Sequence, residues 1–226
     1  MLKKRSDKLK FFSLHIIVAI ITLACLLMNG PMRPGLPIDT TVLERAEFIV
    51  ANQALWVMSW MVWMASAIGL FVFCSILAGE LKSRMRARIA LTIVAMGIGP
   101  DLIAEVIYAF IIPKVVLLEL NLDIMQSLEL IASHLTGFLG NGLYNLGGLA
   151  LTIIAWRERV FPIWAFIWGL TSWILGLSLS ASIAIDYMAG AEFFTATSMV
   201  LSTSWMLVIA YIRFTPQVLK EKWNTP

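Results

Sequence analysis

Charge is scarce in this chain of 226 residues: 14% of positions are Asp, Glu, Lys or Arg, against 60% hydrophobic. With a mean hydropathy of +0.86, that balance excludes an ordinary soluble domain and points to a polytopic membrane protein. Histidine occurs twice. His15 belongs near one end of the first apolar run and His134 deep in a later one, which argues against a paired-histidine haem site. A zinc site would have to draw most of its ligands from carboxylates, and no metal set is expected. No lysine lies inside an apolar run, so a retinal Schiff base is excluded. Neither a Gly-x-Ser-x-Gly elbow nor a phosphate loop occurs, and no motif names a cofactor. The basic residues flank apolar runs without forming an aromatic-interleaved patch, which removes nucleic acid as a partner. Cys25 and Cys74 fall near opposite ends of different runs, too far apart for a disulfide, and read as small buried apolar residues.

What the chain has is apolar length. Six runs are long enough to cross a bilayer, at about 11–29, 47–79, 86–112, 125–156, 161–188 and 193–213. They predict an all-α bundle of six transmembrane helices forming a single integral membrane domain. The N-terminal Lys3-Lys4-Arg5 followed by an apolar run looks like a signal sequence, but no small-x-small cleavage site follows, so the run is expected to remain as the first span. Fourteen of the seventeen Lys and Arg fall on one side: Lys3, Lys4, Arg5, Lys8 and Lys10; Lys82, Arg84, Arg86 and Arg88; Arg157 and Arg159; Arg213, Lys220 and Lys222. Only Arg33, Arg45 and Lys114 fall on the other. The positive-inside rule then places both termini in the cytoplasm of a multi-pass cell-membrane protein, and an even span count requires the termini to share a side.

The connections on the other side differ in character. Residues 30–46 carry three prolines and two glycines, a stiff loop that reads first as a plain connector and otherwise as a lid folded over the mouth of the bundle. Residues 113–124 are amphipathic enough to lie along the interface. Asp186 and Glu192 bracket a tight turn and read as solvated helix ends.

The polar heart lies in the third run, at Met96-Gly97-Ile98-Gly99-Pro100-Asp101-Leu102-Ile103-Ala104-Glu105. A carboxylate deep in hydrocarbon costs several kcal/mol and marks a functional site by default. Asp101 and Glu105 are four apart and share one helix face, so the pair is expected to hold a shared proton. Gly97, Gly99 and Pro100 just before them supply a hinge, because proline cannot donate and the glycines let the helix bend. In the fourth run His134, Asn141 and Asn145 fall at i, i+7 and i+11 on one helical stripe, with His134 at the depth of the acids. The five glycines of 134–148 suit a close helix seam, and the two asparagines suit either that seam or a pocket wall. Tyr108 is a candidate donor to the acids.

In the second run Trp56 reads as an interfacial anchor, whereas Trp60 and Trp63 lie too deep for that and read either as bulky filler facing lipid or core or as the wall of a cavity for an apolar or cationic ligand. Ser59 and Ser66 adjoin them. The hydroxyls of the last two runs, Ser172 and Ser180, then Thr195, Ser198 and Ser202, read as helix glue. Three functions fit. The leading one is a protein that binds or transports a cationic or amphiphilic small molecule with proton coupling at the paired acids. The second is an intramembrane enzyme on a lipid or isoprenoid, with Glu105 or Asp101 as general acid and His134 as partner. The third is a non-catalytic accessory subunit. The expected partners are the lipid bilayer, a hydrophobic or cationic small molecule and a further copy of the chain.

Overall fold

The computed structural model describes residues 2–38, 40–118 and 121–215, with side chains from Asp7 onward. The chain is all-α among these residues, and six of its helices are long and apolar enough to cross a membrane. The first span is α1 (Leu2–Asn29) and the second α3 (Gln53–Gly79), with a short helix α2 (Val42–Ala51) between them. The third span joins α4 (Arg84–Val106), a π-helical stretch Ile107–Ile111 and α5 (Ile112–Leu117). The fourth joins α6 (Leu122–Ser133), a π-helical stretch His134–Gly140 and α7 (Asn141–Arg157). The fifth and sixth are α8 (Ile163–Ala184) and α9 (Met188–Phe214).

Each span packs on the next along the chain, and α9 closes the ring on α1. Lys10 at the start of α1 and Arg213 at the end of α9 both bind Glu80 at the end of α3, at 2.6 and 3.1 Å, so the two ends of the described chain lie together. At the same end Glu158 accepts from the Lys82 and Ser83 amides, at 2.5 and 2.9 Å, and so caps the start of α4 with a carboxylate. Lys220 and Lys222 lie outside the described residues.

Several boundaries depart from the sequence reading: the fifth span ends at Ala184 instead of 188 and the sixth begins at Met188 instead of 193. The second span begins at Gln53, not near 47, because Thr41 and Glu44 form a capping box that starts α2 as a helix of its own. Asn52 then breaks the chain (φ −123°, ψ 32°), and its side chain donates to the Phe48 carbonyl. The 113–124 segment does not lie along the interface as a separate helix: its first part extends the third span to Leu117, and Leu122 already begins the fourth. Residues 119 and 120 lie outside the described residues. Trp56 is no interfacial anchor either. It is buried, and its indole N–H donates to the Tyr108 carbonyl at 2.7 Å. In the π-helical stretch the Ile112 amide bonds Ile107 instead of Tyr108, and Pro113 has no amide to offer. The Tyr108 carbonyl would therefore be an orphan in the core without that indole.

Without a hydrophobic force between helices in lipid, close backbone approach decides where spans meet. The α4–α7 contact is made by Gly97, Gly140 and Gly147. A Cβ at Gly97 would stand 2.6 Å from the Gly140 carbonyl oxygen, and one at Gly147 would stand 2.6 Å from Val94 Cγ2 and 2.7 Å from the Ala90 oxygen. Further along the ring, Trp173 and Trp205 lay their rings on Gly148 and Gly169. With Phe73 and Phe161 around Trp205 in edge-to-face contacts, they fill the half of the bundle nearest the termini.

Gly147→Val should therefore lower the melting temperature of the purified protein, at a cost of about 1–3 kcal/mol for overpacking. Gly99→Ala should leave it unchanged or slightly raised, since a Cβ there meets nothing within 4 Å. Burial alone would push the Glu80 carboxyl up, but Lys10 and then Arg213 hold it below its ordinary value of 4.5. Its contribution is present above that value and lost as pH falls through the lower folded one. The melting-temperature gap between wild type and Glu80→Gln should thus be open at neutral pH and close on acidification.

Candidate functional site

The α4–α7 crossing positions the acids. Asp101 follows Gly97 by one turn on the same face, and its Cβ lies 3.2 Å from where a Gly140 side chain would begin. The Thr136 hydroxyl donates to Asp101 Oδ1. Thr136 can do so because the π-helical stretch His134–Gly140 widens the turn and rotates the residues before it relative to α7. That rotation also removes His134 from the stripe a regular helix would give it. Its ring bonds the Leu130 carbonyl of its own helix at 3.0 Å and sits among Leu130, Ile131, Leu135 and Phe138 on the outer surface of the ring. The structure brings Thr136, not His134, to the acids.

Inside the ring is a two-part cavity. The outer chamber, about 420 Å³, opens at the end of the bundle that carries the 30–41 loop. Trp60, Trp63, Tyr108 and Tyr144 supply its aromatic wall, and Leu36, Pro37 and Ile38 of the loop contribute to its rim. That loop is anchored by the buried Met32 and Leu36 and borders the mouth, where the sequence favours a plain connector. Glu192 stands at the mouth, paired with Arg33 at 2.7 Å. The inner chamber, about 100 Å³, continues from the same Trp63, Asn141 and Tyr144 and reaches Asp101, Asn145, Ser172 and Trp173. Among the described residues no lysine, arginine or histidine lines either chamber.

Asn141 and Asn145 serve two purposes at once. Asn141 Nδ2 donates across the seam to the Gly176 carbonyl (2.6 Å) and to Ser180 Oγ (2.8 Å), while Asn145 Nδ2 donates back to Asn141. Both also line the inner chamber. Glu105 is fully buried, and among the described residues neither of its oxygens has a hydrogen-bond partner. On the adjacent α3 the Ser59 hydroxyl and the Trp60 indole N–H are likewise buried and unpartnered. Pro100 sits inside α4 without ending it. Gly97 is occupied by the crossing with Gly140, and Gly99 faces open space.

A second polar cluster, not visible in sequence, holds the outer end. Arg45 of α2 makes a bidentate bridge to Glu129 of α6, Nε to Oε1 at 2.9 Å and Nη2 to Oε2 at 2.6 Å, with both residues 5% exposed. Arg45 Nη1 also donates to the Thr40 carbonyl, and the Tyr108 hydroxyl donates to the Glu129 carbonyl. Trp60 stacks flat on Tyr108, with centroids 4.3 Å apart. The cluster thus fixes two rings of the cavity wall. The only hint in sequence was an arginine in a chain where charge is rare, since partners 84 positions apart leave no local spacing to read.

Comparison with protein-family models, characterised proteins and solved structures finds no match. The function must be argued from the site.

Breaking the outer bridge should be costly. Glu129→Gln leaves a buried guanidinium without its counter-charge, and a loss of roughly 3–5 kcal/mol is expected. The double variant Arg45→Met/Glu129→Met should regain part of that loss, as read by melting temperature in the same detergent.

Proposed function

We propose that this chain is a cell-membrane protein that binds, and by proton coupling transports, a cationic or amphiphilic small molecule through a cavity open to the outside. The observation that carries the reading is an aromatic-walled cavity that leads to Asp101 and has no basic lining residue among those described. Ring faces plus one counter-charge suit an organic cation, and the apolar rim suits an attached hydrocarbon chain. The positive-inside distribution supports cytoplasmic termini, because Lys10, Arg84, Arg157 and Arg213 gather at the helix ends opposite the cavity mouth. Proton coupling follows from chemistry. A cation arriving at Asp101 favours its ionised form, and the proton released leaves to solvent by way of Glu105, one turn away and without a hydrogen-bond partner among the described residues. The intramembrane-enzyme reading gains no support, since His134 stands apart from both acids.

Octylamine titrated calorimetrically into nanodiscs carrying the protein, with empty nanodiscs as the blank, tests this. Saturable binding is expected, with a heat that changes between buffers of different ionisation enthalpy because a proton leaves the protein. Asp101→Asn should weaken binding by about tenfold or more and abolish the buffer dependence. Octanoate should not bind. Heat no larger than that of empty nanodiscs overturns the reading.

A further inference from the structure

The inner chamber has an unbalanced hydrogen-bonding character. Ser172 donates its proton to the Trp168 carbonyl, Thr195 to Ala191, Ser198 to Thr195 and Ser202 to Met199, at 2.7–3.2 Å. Each proton is spent on the helix's own backbone, so each oxygen offers only lone pairs to the chamber it lines. The amide groups of Asn141 and Asn145 are spent in the seam, which leaves Asn145 Oδ1 as a further acceptor. Asp101 adds carboxylate oxygen. The unspent donors are the Ser66 and Tyr144 hydroxyls, which can also accept, and the Trp63 indole. Five helix-held acceptors and a carboxylate therefore belong to residues that line one space of about 100 Å³. A ligand group rich in N–H donors answers that imbalance, and an anion does not.

The two chambers also have a direction. From Glu192 at the mouth to Ser202 at the inner end is ten residues of α9, about 15 Å of depth. The outer part of that depth is lined by Leu36, Pro37, Ile183 and Met188, and the inner part by the acceptors. We propose that the inner chamber is a site for a primary or secondary ammonium group, entered head-first, with the hydrocarbon part of the ligand lying in the outer chamber. This rests on the cation reading of the cavity and narrows it to amines that carry N–H. A quaternary ammonium offers the same charge but no donor, and it is bulkier at the narrow end.

The test compares octylamine with octyltrimethylammonium in the same nanodiscs at neutral pH, where both are cations. Octylamine should bind about tenfold or more tightly, the worth of at least one charge-assisted hydrogen bond. Ser198→Ala/Ser202→Ala should bring the two affinities together by weakening only the amine. The wild-type ratio decides the matter even where that variant fails to fold. A ratio below tenfold, or a preference for the quaternary ion, overturns the inner-chamber site while leaving a cation-binding cavity intact. Saturable binding of neither ion overturns both.

Discussion

The α4 and α7 backbones touch because Gly97 and Gly140 have no side chain to keep them apart, and a carboxylate sits one turn beyond that point of contact. In hydrocarbon an ionisable group survives only where protein surrounds it with something polar. The crossing provides this for Asp101 by drawing the α6–α7 span near enough for Thr136 to donate. Substituting either glycine would move the helices apart and strand the acid, so helix packing and the polar site are one constraint rather than two. The ring of spans, the cavity within it and the placement of its aromatic wall all depend on this approach being close.

The two halves of the bundle solve the polar problem differently. Toward the termini, indoles fill the interior and each finds an acceptor: Trp205 the Ala165 carbonyl at 2.7 Å, Trp173 the Thr152 hydroxyl at 2.8 Å. That half is packed. Toward the 30–41 loop the interior is left open, and a buried ion pair outside the cavity steadies the walls instead. Trp173 lines the inner chamber on the side of the termini, and the packed indole cluster lies beyond it.

Much of this was legible in sequence, and the failures have physical causes. Apolar length alone revealed the six spans, and the cost of burying charge singled out Asp101 and Glu105. Trp60, Trp63, Asn141 and Asn145 stood out by depth and spacing, with bulky filler and a helix seam as the simpler readings; in the structure all four line the cavity. His134 was misplaced because a helical wheel assumes 3.6 residues per turn, and the π-helical stretch that begins at it does not obey that period. Trp56 looked interfacial because nothing local discloses that a carbonyl orphaned by Pro113 awaits its indole. The serines of α8 and α9 do bond within their own helices, as glue would. What spacing could not disclose is that Ser172, Ser198 and Ser202 border one shared space.

Because every span lies beside its chain neighbour, the wall of the ring is laid down in the order of synthesis, and only the α9–α1 contact joins the last segment to the first. Until α9 arrives there is no enclosed interior at all: the half-built ring is a curved palisade whose inner face, acids included, is open to lipid along one side. Cys25 of α1 and Met199 of α9, whose sulfurs meet at 3.3 Å, mark where that gap finally shuts. A nascent chain halted before Met188 would carry the carboxylates yet lack any chamber to shield them.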